Sequence, residues 1–305
     1  MVRKVKKKNS GIYIFITILI TVVIVALAYT SYSYLKITPD PSGSTYSEKL
    51  NSTNAILIRL EDHTMLMEKN SEEKIYPASL TKIMTAIVVM EDLPNLTEKI
   101  TLTNSTFQGL YEADASMAGF QPGEKVSAID LLYGVMLPSG AEACIGLADQ
   151  IAGSEQGLVK MMNQKAAELG MNNTHFENVT GLHNENHYTT VKDLSILLSY
   201  ALQNDAFREI VTSSRHSTQP TNKHPGGITF YGTMFKELNN QNIIDGEILG
   251  GKTGYTDEAG LCLASLAKVG KQEYILISVG AKGNHYSEQY NITDALAVYN
   301  NIEKQ

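Results

Sequence analysis

"PASLTKIMTAIVVMEDL", residues 77–93, sets a serine and a lysine three apart, Ser79 and Lys82, at the head of an apolar run. Leu80, Ile83, Met84, Ile87 and Met90 recur at helical spacing, so the run is expected to be a helix. On a helix, residues i and i+3 share a face, which brings the lysine beside the serine hydroxyl. Two readings follow. In one, Ser79 caps the helix and Lys82 is a solvated cation. In the other, burial and a second cation strip Lys82 of its proton well below the usual ~10.4. The free amine then takes the proton of Ser79 and makes it a nucleophile. An S-x-x-K pair recurs by chance in many chains, so the rest of the sequence has to decide.

Outward from this helix, strand-like runs occupy both ends of the chain. NAILIRL (residues 54–60), apolar on both faces, and MLMEKN (65–70) flank the turn EDHT and read as a hairpin. ITLTNSTF (100–107) reads as a short strand or extended segment. AIDLLYGVML, EACIGLADQIA, SEQGLVKMMNQKAAELGM and TTVKDLSILLSYALQ, between residues 127 and 204, have mostly helical spacing, separated by Gly, Pro, Asn or Ser. From about residue 226, GITFYGT, GEILGGKTGYT, GLCLASLAKV and EYILISVGA return to strands, and HYSEQYNITDALAVYNNIEK closes as an amphipathic helix. The expected fold class is α/β in the α+β sense. An antiparallel sheet is built from both ends of the soluble chain (about residues 51–98 and 226–305). Helices flank it, with a mostly helical insertion (about 99–225).

Charge is uneven. Arg3, Lys4, Lys6, Lys7 and Lys8 precede any acidic residue. All 32 acidic residues but only 20 of the 25 basic ones lie beyond residue 35, a net charge of −12 there. Such a balance excludes a nucleic-acid binder, which needs a basic face. After the basic cluster, residues 9–35 carry no charge and include IYIFITILITVVIVALA (12–28). As a helix they would reach about 40 Å, more than the ~30 Å hydrocarbon core. The expected organisation is therefore a basic cytoplasmic tail (1–10), a transmembrane signal-anchor (11–35), a linker (36–50) and a globular domain outside the cytoplasm (51–305). Ala26-Leu27-Ala28 keeps a cleaved signal peptide open as the alternative, although the apolar run exceeds the usual ~7–15 residues. The two cysteines, Cys144 and Cys262, sit among apolar residues without metal spacing and read as separate buried thiols.

Two further words complete the S-x-x-K pair. LPSGAEA holds Ser139, and GGKTGYT holds Lys252, Thr253 and Gly254 on an expected strand. S-x-x-K, S-x-N and K-T-G, in that order, form the active-site set of penicillin-recognising serine acyltransferases. With the flanks PASLTKIMTA, LLYGVMLPSGAEA, NVTGLHNENHYTTVKDLSIL and GGKTGYTDEAGLCLASLA, residues 54–299 resemble a low-molecular-weight penicillin-binding protein of the serine D-alanyl-D-alanine carboxypeptidase family. That resemblance implies a DD-peptidase / β-lactamase-like fold. It implies that Ser79 attacks the penultimate D-Ala carbonyl of a peptidoglycan stem peptide ending in D-Ala-D-Ala, with Lys82 as general base. Ser139 would relay protons to the leaving amine. Lys252 and Thr253 would hold the substrate carboxylate, Gly254 would let the substrate backbone lie close, and the N–H groups of Ser79 and Tyr255 would form the oxyanion hole. β-Lactams would acylate Ser79. No metal and no cofactor are implied.

The sequence departs from the family pattern at Ala141, where S-x-N asks for asparagine. Alanine cannot bridge the lysine and the substrate. Glu142 is adjacent but points about 100° away on a helix. A water, Asn104 or Ser105 are candidate substitutes. The departure motivates the alternative of a catalytically weak penicillin-binding or peptidoglycan-sensing protein. A class A β-lactamase is disfavoured because no E-x-x-L-N loop follows the second motif. Relatives often add a β-rich domain and a C-terminal amphipathic helix. No room for either is expected, so tethering would fall to the N-terminal segment. His175, His183, His187, His216, His224 and His285 are expected in structural or solvent roles rather than at a zinc site. Glu112 and Asp114 read as solvated loop charges, and Phe107 and Tyr111 as either core or approach to the site.

Overall fold

NAILIR forms strand β1 (Asn54–Arg59), and its apolar residues on both faces are all buried. The computed structural model describes residues 49–239 and 242–302. The basic tail, the apolar segment and nearly all of the linker lie outside them. Among the described residues, no helix is long and apolar enough to cross a membrane.

A turn at residues 60–63 returns the chain as β2 (Thr64–Lys69), giving the expected hairpin, with a bulge after Leu57. Helix α1 (Thr81–Asp92) follows. Its residues from Thr81 to Met90 are all buried, so it is a central helix rather than an amphipathic one. β3 (Lys99–Thr101) pairs with β4 (Lys125–Ser127) in a small separate sheet. Then come α2 (Ala128–Met136), α3 (Ala141–Ala152), α4 (Glu155–Glu168), α5 (Val191–Ala201) and α6 (Asp205–Thr212). Thr190 caps α5 through its hydroxyl, which accepts from Asp193 N–H. The run TTVKDLSILLSYALQ is thus helical from Val191 to Ala201.

β5 (Arg215–Ser217) pairs with β6 (Thr229–Tyr231), and α7 (Thr233–Leu238) follows. GITFYGT therefore makes a strand, but in a two-stranded ribbon outside the main sheet. The short α7, with Met234 and Leu238 buried, was not legible as a helix. Three long strands, β7 (Gly246–Thr256), β8 (Gly260–Val269) and β9 (Gln272–Ala281), and helix α8 (Tyr290–Asn300) complete the described chain.

The five-stranded sheet has the order β2-β1-β9-β8-β7, antiparallel throughout. β1 pairs with β9, Leu57 against Leu276, so both ends of the domain meet in one sheet, as expected. Side chains alternate between two cores, as strand periodicity requires. Ile56, Ile58, Ala264, Ile275 and Ile277 face the helical layer that contains α1. Ala55, Leu57, Leu263 and Leu276 face α7 and α8, where Tyr299 donates to the Ser265 carbonyl at 3.1 Å. Ile277 is fully buried on β9. Its truncation to alanine would cost about 2–5 kcal/mol. β7, carrying Lys252, is left as an edge strand beside the start of α1.

Candidate active site

Ser79 lies in one 3-10 turn, Ala78–Leu80, that leads into α1. The cap positions are Pro77 for the turn and Leu80 for α1, and neither bears a side-chain cap. The capping reading of Ser79 is thus corrected: the helix begins two residues later, and the hydroxyl points elsewhere. Ala78 has φ +46°, a left-handed conformation that costs an alanine on the order of 1 kcal/mol or more. Gly181 packs against it so closely that a Cβ there would fall 1.9 Å from the Ala78 carbonyl oxygen.

Two polar side chains meet Ser79, and a third reaches it through one of them. Lys82, 2 % exposed, donates from Nζ to Ser79 Oγ at 3.1 Å and to the Thr180 carbonyl at 2.5 Å. Ser139, in the loop between α2 and α3 at φ +68°, donates to Ser79 Oγ at 3.0 Å. Lys252, 1 % exposed on β7, donates to Ser139 Oγ at 3.0 Å and to the Thr253 carbonyl at 2.8 Å. Two serines thus lie in a line between two buried lysines.

Burial lowers the Lys82 pKa, opposed by the negative charge that Cys144 and Glu142 could carry. Burial pushes the Cys144 thiol up to about 12, so it is neutral near pH 7. Lys252 is pushed well below the usual lysine range, first by burial and then by Lys82.

Gly254 lies close against the turn that carries Ser79. A Cβ on it would fall 3.0 Å from Ser79 N and 3.2 Å from Ala78 Cβ. Glycine here is what lets β7 lie against the turn that carries Ser79. Thr253 shares a 2.7 Å hydrogen bond with Thr233, the first residue of α7, a partner that no sequence signal marked. Tyr255 donates to Asp257 Oδ1 at 2.6 Å and meets His285 edge-on at 4.9 Å.

Ala141 is buried, and its N–H donates to the Ser116 carbonyl at 2.8 Å. Glu142 does turn away, as its helical position requires. Its Oε1 accepts from the N–H groups of Ala118 at 2.7 Å, Gly119 at 2.8 Å and Phe120 at 3.3 Å. Burial raises its pKa against those three donors. Of the candidate substitutes, Ser105 Oγ pairs with Thr103 Oγ1 at 2.6 Å, and Asn104 is exposed. Neither meets Lys82. The Thr180 carbonyl does, and being backbone it left no trace in residue identity.

The remaining candidates separate. Phe107 is buried in the core, whereas Tyr111 is 70 % exposed and the loop charges Glu112 and Asp114 are exposed as well. Cys144 and Cys262 are free, buried thiols. His216 binds buried Asp130 at 2.7 Å and stacks on Tyr133 at 3.6 Å, and His224 binds buried Glu124 at 2.8 Å. His187 has both ring nitrogens in hydrogen bonds.

A serine beside a buried lysine, on the turn that leads into a helix and against an edge strand that carries a second lysine, is the arrangement that lysine-assisted serine acyl transfer requires. The chain belongs to peptidase family S11, D-alanyl-D-alanine carboxypeptidase, whose pattern matches residues 41–283. It is 34% identical over 231 residues to the D-alanyl-D-alanine carboxypeptidase DacF of Bacillus subtilis, covering 75% of this chain and 57% of that protein. It is likewise 34% identical to DacC of Escherichia coli, covering 74% of this chain and 56% of that one. The chain thus spans little more than half the length of these relatives. The solved Streptomyces K15 DD-transpeptidase superposes with a TM-score of 0.74 at 29% identity, covering 83% of this chain and 97% of that structure. The fold is therefore that of the DD-peptidases.

Proposed function

We propose that this protein is a serine D-alanyl-D-alanine carboxypeptidase that removes the terminal D-Ala from peptidoglycan stem peptides and is acylated by β-lactams. The carrying observation is the line Lys82–Ser79–Ser139–Lys252, with every step between 3.0 and 3.1 Å. The names of the relatives support the same substrate class.

In this reading Ser79 Oγ attacks the carbonyl of the penultimate D-Ala while its proton passes to neutral Lys82. The N–H groups of Ser79 and Tyr255 hold the oxyanion. The C–N bond then breaks as Ser139 relays to the departing amine the proton that Lys82 took from Ser79, which leaves Lys82 neutral again to take a proton from water. Water attacks the acyl-serine, releasing the shortened peptide and restoring Ser79. Lys252 and Thr253 receive the terminal carboxylate. Burial beside Lys82 makes Lys252 a costly cation alone, and an incoming carboxylate favours its charged form. The weak-sensor alternative is not favoured, since the Thr180 carbonyl gives Lys82 an acceptor although Ala141 supplies none. The basic cluster followed by residues 12–28 supports tethering to the cell membrane, with the domain outside the cytoplasm.

Labelled penicillin and release of D-Ala from diacetyl-lysyl-D-Ala-D-Ala test the reading together. Wild type is expected to take the label and release D-Ala, and Ser79→Ala to do neither. Label without release returns the sensor reading, and release by Ser79→Ala sinks the mechanism.

A further inference from the structure

The segment that carries Thr180 is held by an internal frame. Asn178 Oδ1 accepts from the N–H groups of Thr180 at 3.1 Å and Gly181 at 2.7 Å and from the Thr180 hydroxyl at 3.0 Å. Its amide donates to the Leu182 carbonyl at 2.8 Å. This fixes the shape of the turn but not its place against α1. His187, 2 % exposed, supplies the place. Its Nδ1 accepts from the N–H groups of Glu177 at 3.1 Å and Asn178 at 3.4 Å, so the ring proton sits on Nε2. Nε2 then donates to Thr81 Oγ1 at 2.8 Å. Thr81 is the first residue of α1, next to Lys82. Thr85, one turn on, donates to the Val179 carbonyl at 2.7 Å.

We propose that His187 is a positioning residue: it docks the 177–181 turn onto the first turn of α1 and thereby aims the Thr180 carbonyl at Lys82 Nζ. This rests on the reading of Lys82 as the base that serves Ser79. In place of the asparagine absent at Ala141, a backbone carbonyl then orients the lysine, and a neutral imidazole sets the carbonyl. The imidazole suits the task because one nitrogen must accept while the other donates. Protonation would turn Nδ1 against two N–H groups. Burial, with the charges of His175, His183 and Lys82, keeps it neutral by lowering its pKa to about 4. The groups facing Lys82 are Ser79, Glu142, Cys144 and, through Ser139, Lys252.

The sign of the effect separates positioning from packing. A carbonyl that accepts from the ammonium favours the charged form, so losing it moves the Lys82 titration down. Merely loosening the core lets water reach Lys82 and moves it up. The experiment titrates Lys82 in the whole protein by the 13Cε shift of labelled lysine, assigned with Lys82→Arg, and needs no turnover. His187→Ala and the shape-conserving Thr81→Val are expected to move the midpoint down by at least half a pH unit and to slow penicillin acylation of Ser79 at neutral pH about tenfold. His187→Gln, which keeps one acceptor and one donor, should restore both to within threefold and a few tenths of a unit. An unchanged or raised midpoint in Thr81→Val, or a His187→Gln as impaired as His187→Ala, overturns the proposal. A wild type that titrates as described but takes up no penicillin would instead count against the proposed function.

Discussion

Lys252 Nζ stands 3.0 Å from Ser139 Oγ, across 113 residues of sequence, and that contact joins the sheet to the helical layer at the point where Ser79 waits. Two lysines are thereby buried at the two ends of one pair of hydroxyls, with no carboxylate among the described residues in hydrogen-bond contact with either. At such a distance from water both ammonium forms are disfavoured, each by its burial and Lys252 additionally by its neighbour.

A pH dependence follows. The general base must be neutral, so the rate of acylation by penicillin should fall as pH drops through the lowered titration of Lys82. Lys82→Arg cannot lose its proton and should acylate roughly 10³-fold more slowly than wild type at alkaline pH, with the gap narrowing as Lys82 of wild type is protonated. Rapid-quench acylation rates between pH 5 and 10 read both effects. A Lys82→Arg variant as fast as wild type would remove Lys82 as the base.

Gly254→Ala tests the approach of β7 to the turn at Ser79. The new methyl meets backbone at 3.0 Å, which cannot swing aside as a side chain would. Acylation should drop about 10–100-fold through displacement of Ser79, with the fold retained. Circular dichroism beside the acylation rate separates that outcome from global unfolding.

Glu142→Ala tests the loop beside the site. Removing the carboxylate strips an acceptor from the buried N–H of Phe120 and from those of Ala118 and Gly119. Stability should fall by about 2–4 kcal/mol in urea unfolding, whereas Glu142→Gln, which keeps an acceptor oxygen, should lose well under half of that.

His187 predicts a stability profile of its own. Its folded pKa, about 4, lies below the ordinary 6.5, so the unfolded chain binds the proton first. Stability from this group is complete above pH 6.5 and is lost as pH falls from there towards 4, by up to about 3 kcal/mol. Urea unfolding of wild type and His187→Gln at pH 7 and pH 4.5 reads it: the variant should lose distinctly less on acidification. Equal losses would show that His187 titrates normally in the folded protein.

What could be read from residues alone was what residue identity encodes. Ser79, Lys82, Ser139 and Lys252 were legible through the resemblance that three ordered motifs and their flanks carry, and hydrogen bonds join the four in one line. β1 was legible because its apolar residues fall on both faces. Thr180 was not, because a backbone carbonyl has no letter. His187 was visible only as one of several histidines, since its partners are two backbone N–H groups and a threonine 106 residues away. Ser79 suggested a cap by residue type, but the 3-10 turn moved the helix start past it. Gly254 was marked as a close approach of backbone, and the protein's own turn at Ser79 lies within 3.0 Å of where its Cβ would be, a contact that no residue pattern encodes.

The pairing of β1 with β9 governs when the chemistry can begin. Ribosomes deliver the chain from its N-terminus, so Ser79 and Lys82 emerge well before the strand that carries Lys252. β7 can join β1 only through β8 and β9, which emerge later still. Until then the serine has no edge strand beside it and its lysine has no second cation. The line from Lys82 to Lys252 is thus assembled only with closure of the sheet, a long-range event that topology makes slow.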